Sequence, residues 1–283
     1  MLWFALSLAI AGQTSDIRDV APDLTTPKME TAEPAAGRRV KQTLPAYRDT
    51  EVYHALYLPT NWRAGRRYPI LVELAGNGPY KSGYGDVSTG FVEGSNLGYG
   101  ISAGKDYLWL CLPYLNNAAT ANVRQWWGDR PKRDPGPTLK YMQEAVAWVC
   151  REYGGDADRV VLCGFSRGAI ACNYLGLHND RVAKLWRAFV VYSHYDGVRR
   201  WGYAHDDRES AKRRLRRLGD RPQFICHEGA GLTATKKYLT ETGVAGNFTF
   251  MPTGYRNHND AWTLRPSKAR AALRDWVGKV VNK

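Results

Sequence analysis

The chain has 283 residues, 44% of them hydrophobic, and a formal net charge of +13. That length and apolar content suit one sizeable core and exclude a disordered or fibrous chain, and no internal repeat or long linker divides it. The basic excess invites a nucleic-acid reading, but the run from Lys212 to Arg217 spreads its charge over most faces of a helix and has no nucleic-acid motif beside it, so nucleic acid is not an expected partner.

Residues 1–11 form an uncharged apolar stretch ending in Ala-x-Ala, too short to span a bilayer and shaped like a signal peptide. They predict export, to the periplasm or beyond, where the basic surface either keeps the protein in solution or attracts a polyanionic surface. Residues 12–49 have few large apolar side chains and read as a flexible leader before a catalytic domain at 50–283. From there strand-like runs at about 51–58, 68–75, 107–113, 159–163, 187–193, 222–226 and 246–251 alternate, from the third onward, with helical patterns at 138–152, 167–177, 208–218, 233–242 and 267–281. Such alternation predicts a mostly parallel sheet with helices on both faces and a ligand site at the carboxyl ends of the strands.

The loops at those ends carry the chemistry. After the 68–75 strand, Ala75-Gly76-Asn77-Gly78-Pro79 offers small residues that let backbone amides approach a developing oxyanion; Asn77 has a side-chain donor as well. Glu73, inside that apolar strand, costs several kcal/mol if unpaired, so an arginine or hydroxyl partner is expected and no catalytic role. Trp126 and Trp127 lie between a strand end and a helix, and Trp201 follows the 187–193 strand, placed either to wall a cleft for an aryl or sugar group or simply to pack under the loops. Neither insertion is long enough for a lid domain, which favours an open cleft and a bulky or polymeric substrate.

Val160 to Ala171 reads as an apolar strand, the turn Gly164-Phe165-Ser166-Arg167-Gly168 and a small-residue helix start. A nucleophilic serine needs such a turn, with its oxygen clear of the backbone and the next amide, that of Arg167, aimed at the same spot. It also needs a histidine base and an orienting acid, which in chain order follow as acid and then histidine. His258 fits, after the 246–251 strand and before the last helix. Glu228, after the 222–226 strand, is the first choice for the acid; Asp196, after the 187–193 strand, is its rival. The five cysteines are odd in number, so any disulfide leaves a free thiol, and they show neither metal-type nor redox spacing, so no metal or cofactor is implied.

On Gly164 to Gly168, the glycine loop at 76–78 and His258 before the last helix, the chain resembles the α/β-hydrolase superfamily over residues 50–281, and within it the secreted feruloyl esterase and polyhydroxybutyrate depolymerase-like esterases. Where many of these carry a Gly-x-x-Asp-like turn, this chain has His227-Glu228-Gly229-Ala230-Gly231. The resemblance implies a serine esterase acting on a polysaccharide-linked or aryl ester or a polyester. The alternatives are a peptidase of the same fold and a non-catalytic carbohydrate-binding relative.

Overall fold

The computed structural model describes residues 14–283; the signal-peptide reading of 1–11 lies outside them. The strands are β1 (Arg39–Gln42), β2 (His54–Tyr57), β3 (Tyr68–Leu74), the hairpin pair β4 (Tyr80–Lys81) and β5 (Val87–Ser88), β6 (Leu108–Leu112), β7 (Gly155–Phe165), β8 (Ala188–Tyr192), β9 (Gln223–His227) and β10 (Phe248–Pro252). The α-helices are α1 (Leu97–Ser102), α2 (Gly136–Tyr153), α3 (Arg167–Tyr174), α4 (Asp180–Ala183), α5 (Arg208–Leu215), α6 (Gly231–Thr242) and α7 (Lys268–Val281).

The main sheet runs β1-β2-β6-β3-β7-β8-β9-β10, with β1, β2 and β6 paired antiparallel and the rest parallel. Its central strands are apolar on both faces because each face has its own core. On β3, Ile70, Val72 and Leu74 join one cluster with side chains of α2, α3, α5 and α6, while Leu71 joins the other with side chains of α1 and α7. The two-residue period of a strand therefore appears as alternation between two cores rather than between core and water.

The leader expectation is corrected for the described residues. β1 is an edge strand of the sheet, Ile17 is buried, and its amide donates to Asn257 Oδ1 at 2.7 Å. Short, charged and glycine-poor, this stretch buries only scattered side chains, which is why it reads as a leader. Glu73 is also resolved differently: at 1% exposure its carboxylate accepts from the Leu97 and Gly98 amides and from Trp109 Nε1, with the Arg39 guanidinium stacked over the Trp109 ring. Two amides and an indole, rather than an arginine or hydroxyl, supply its hydrogen bonds. No helix among the described residues is long and apolar enough to cross a membrane.

Candidate active site

Ser166 sits between β7 and α3 with φ 55° and ψ −113°, a conformation that costs a non-glycine residue on the order of 1–3 kcal/mol. The flanking glycines explain how the turn closes. A Cβ on Gly164 would lie 2.2 Å from the Gly168 carbonyl carbon, and one on Gly168 would lie 1.8 Å from the Leu74 carbonyl oxygen. Strand, helix and β3 meet too closely for any side chain there.

His258 Nε2 stands 3.0 Å from Ser166 Oγ, and its Nδ1 donates to Glu228 Oε1 at 2.6 Å. Glu228 lies just past β9 and His258 in the loop after β10, so neighbouring parallel strands deliver both to one edge. Burial pushes the Glu228 carboxyl up, but the hydrogen bond and charge of His258, with His227 and Ser193, outweigh it and hold the group below its ordinary value. The histidine loop is held from above by the hairpin β4–β5: the His258 amide donates to Asp86 Oδ1 at 2.7 Å, Asn259 Nδ2 to the Gly85 carbonyl at 3.0 Å, and Asn257 Nδ2 to the Tyr84 carbonyl.

Asp196, the rival acid, is elsewhere. Its carboxylate is 1% exposed and accepts from Arg214 Nε at 2.8 Å, Arg214 Nη2 at 3.1 Å and the Tyr203 hydroxyl at 3.1 Å. It ties the 195–206 loop to α5 and makes no hydrogen bond or ion pair with His258.

Two side chains that sequence reasoning missed stand beside these. Ser193, at the end of β8 with φ 87°, donates its hydroxyl to Glu228 Oε1 at 2.7 Å and lies 2.9 Å from His258 Nδ1. The Arg167 side chain, expected to matter only through its amide, is buried, with its guanidinium over the Tyr114 ring. Its hydrogen bonds reach the carbonyls of Ala75 (3.4 Å), Gly76 (2.9 Å), Gly90 (3.0 Å) and Trp126 (2.7 Å). Burial lowers its pKa to about 10, so it keeps its charge at neutral pH while stapling three loops together. A basic residue inside an apolar, glycine-rich turn was the available signal.

The amides of Arg167 and Asn77 have no hydrogen-bond partner among the described residues, and Asn77 lines the cleft with Ser166. The Asn77 side chain is oriented by its Oδ1, which accepts from the Trp126 amide at 2.7 Å. Gly78 is corrected as a donor, because its amide is spent on the Arg124 carbonyl at 3.1 Å. Gly76 does not line the cleft, and it contributes its carbonyl to Arg167 instead.

The cleft over Ser166 and His258 has a volume of about 440 Å³, and its walls include Tyr80, Gln125, His194 and Trp201. Of the three tryptophans expected there, only Trp201 reaches it. Trp126 packs behind, 5.7 Å from the Trp201 ring, and Trp127 is fully buried and stacked on Tyr174 at 4.3 Å, so as substrate-lining residues both are corrected and theirs is the other role the sequence left open, packing under the loops. His194 is neutral at neutral pH: burial, aided by the nearby His258, lowers its pKa to about 3.

No protein-family model matches the chain, and no curated protein matches it. Solved structures do. The S-formylglutathione hydrolase of Agrobacterium tumefaciens aligns with TM-score 0.57 and 11% identity over 88% of this chain and 97% of its own. Thermogutta terrifontis esterase 2 aligns with TM-score 0.52 and 13% identity over 82% of this chain and 88% of its own. Porphyromonas gingivalis dipeptidyl peptidase 4 aligns with TM-score 0.53 and 15% identity over 88% of this chain. The chain spans 33% and 36% of the length of two matched peptidases and 62% of a thermostable esterase. At these identities the likeness is one of fold, and it agrees with the sheet order and the serine turn: the chain has the α/β-hydrolase fold.

Proposed function

We propose that this chain is a serine hydrolase that cleaves carboxylic esters through an acyl-enzyme. The observation that carries the reading is the single line of contacts from Glu228 through His258 to Ser166, at 2.6 and 3.0 Å, ending in the cleft that Asn77 also lines, with the Arg167 and Asn77 amides unpartnered among the described residues. In this reading His258 Nε2 takes the Ser166 proton as Oγ attacks the carbonyl, and Glu228 holds the proton on Nδ1 and stabilises the imidazolium. The amides of Arg167 and Asn77 receive the oxyanion of the tetrahedral intermediate. His258 then gives its proton to the leaving alkoxide, and water, activated by the same imidazole, releases the acid and restores the serine.

An ester rather than an amide is favoured by the walls, which are a hairpin and a loop that leave the cleft open to solvent, and by the resemblance of the serine turn to esterases. Peptidase activity is the second reading, favoured by the matched dipeptidyl peptidase. The test is turnover of p-nitrophenyl acyl esters and methyl ferulate against peptide p-nitroanilides, with Ser166→Ala beside the wild type. Ester turnover that Ser166→Ala abolishes supports the proposal; anilide turnover alone moves the protein to the peptidases. Wild-type activity in Ser166→Ala overturns both.

A further inference from the structure

Among the described residues, one cation, Arg199, lines the cleft without an acidic partner. Arg199 is exposed, and its guanidinium carbon lies 3.5 Å from the centroid of the Trp201 ring. Among the described residues it makes no hydrogen bond or ion pair through its side chain. An acid close in sequence is engaged elsewhere: Asp206 accepts from Arg200 Nε at 3.0 Å and from the Trp201 and Gly202 amides at 2.7 and 2.6 Å. That arrangement does two things. It satisfies the neighbouring arginine, and it pins the loop so that the Trp201 ring stays in the wall as a platform for Arg199.

Among the described residues no carboxylate lines the cleft; besides Arg199 its walls include neutral polar groups (Asn77, Ser88, Gln125) and aromatic rings. Asp196, also close in sequence, is fully spent on Arg214 and Tyr203. Stacking on an indole leaves the N–H edge of a guanidinium free and gives it a fixed plane, the geometry in which arginine reads a carboxylate or phosphate in bidentate fashion. A neutral His194 beside it adds no competing charge, and the basic surface of the whole chain draws an anion in.

We propose that Arg199, held on Trp201, is the specificity residue of this cleft and selects esters that carry an anionic group, a carboxylate or a phosphate, on the part of the substrate lying along the Trp201 wall. This rests on the esterase reading above. The anion belongs either to the acyl part or to the alcohol part, and the two are separable by experiment.

The test compares matched charged and neutral esters: mono-p-nitrophenyl adipate against its methyl ester for the acyl side, and 4-acetoxybenzoate against 4-acetoxybenzamide for the alcohol side. Each is run with wild type, Arg199→Gln and Arg199→Lys, and the quantity read is the ratio of kcat/KM for charged over neutral ester. The wild type is expected to favour the charged member of one pair by roughly tenfold, the scale of a hydrogen bond to a charged group. In Arg199→Gln the ratio falls toward one, with Arg199→Lys between, and in the wild type it shrinks as salt is raised. Ratios that are the same in wild type and Arg199→Gln for both pairs overturn the proposal while neutral-ester turnover leaves the esterase reading standing. A wild type that cleaves none of the four esters overturns both.

Discussion

Glu228 and Asp196 stand just past adjacent parallel strands, on the same edge of the sheet, and both are carboxylates withdrawn from water. Their surroundings divide them. Glu228 faces a serine hydroxyl and the imidazole of His258, which lines the cleft, whereas Asp196 faces a guanidinium and a phenol inside the protein. A carboxylate at a strand end is thus no guide to its role until its partner is known: one partner passes a proton, and the other keeps its charge through any reaction.

That contrast can be broken or sharpened by substitution. Glu228→Gln carries the largest expected effect, a fall in kcat of about 10³–10⁴-fold in ester hydrolysis, because the amide no longer fixes the tautomer of His258; stability, followed by thermal unfolding, changes much less. Asp196→Asn reverses the pattern. It leaves Arg214 buried with a neutral partner and costs about 3–5 kcal/mol in denaturant unfolding, with kcat of the folded protein within a few-fold of wild type. If Asp196→Asn instead silenced the enzyme with its stability intact, the assignment of the acid would be wrong.

Ser193→Ala sharpens the comparison on the Glu228 side. It removes one of the two hydrogen bonds to Oε1 and should lower kcat by roughly tenfold, about 1.4 kcal/mol, with KM little moved, since the Ser193 hydroxyl touches Glu228 and His258 rather than the cleft. The smallest effect is in acid. The Glu228 carboxyl is held below the 4.5 of a free glutamic acid, so its contribution to stability is fully present above about pH 4.5 and is lost as pH falls through its folded value. The gap in Tm between wild type and Glu228→Gln should therefore narrow below pH 4.5, and Asp196→Asn should retain the wild-type acid dependence at this site.

Most of the sheet is legible in the sequence because its central strands are apolar on both faces, and runs such as Val160 to Cys163 have few other uses. The serine turn is legible for a steric reason, since Gly164 and Gly168 sit where no Cβ fits. What stays hidden is structure held by few or unusual contacts. α1 reads as a loop because it contains Gly98 and Gly100, yet both are required: a Cβ at either would come within 2.2 Å of Trp109 or Thr263. β1 has only Val40 as an apolar residue, and the hairpin over His258 has strands of two residues. Ser193 is illegible for another reason, since a serine after a strand has meaning only once β9 and the His258 loop are set beside it. The identity of the acid was likewise a question of partners, open between Glu228 and Asp196 until Arg214 was seen to occupy one of them.

The central claim is that Ser166, His258 and Glu228 act as one unit, and covalent trapping tests it most directly. The wild type would be treated with a fluorophosphonate and the adduct located by intact-mass and peptide mass spectrometry, with Glu228→Gln and Asp196→Asn run in parallel. A single adduct on Ser166, formed much more slowly in Glu228→Gln and at the wild-type rate in folded Asp196→Asn, is the predicted result. An unmodified wild type, or an adduct on any other residue, would contradict the account.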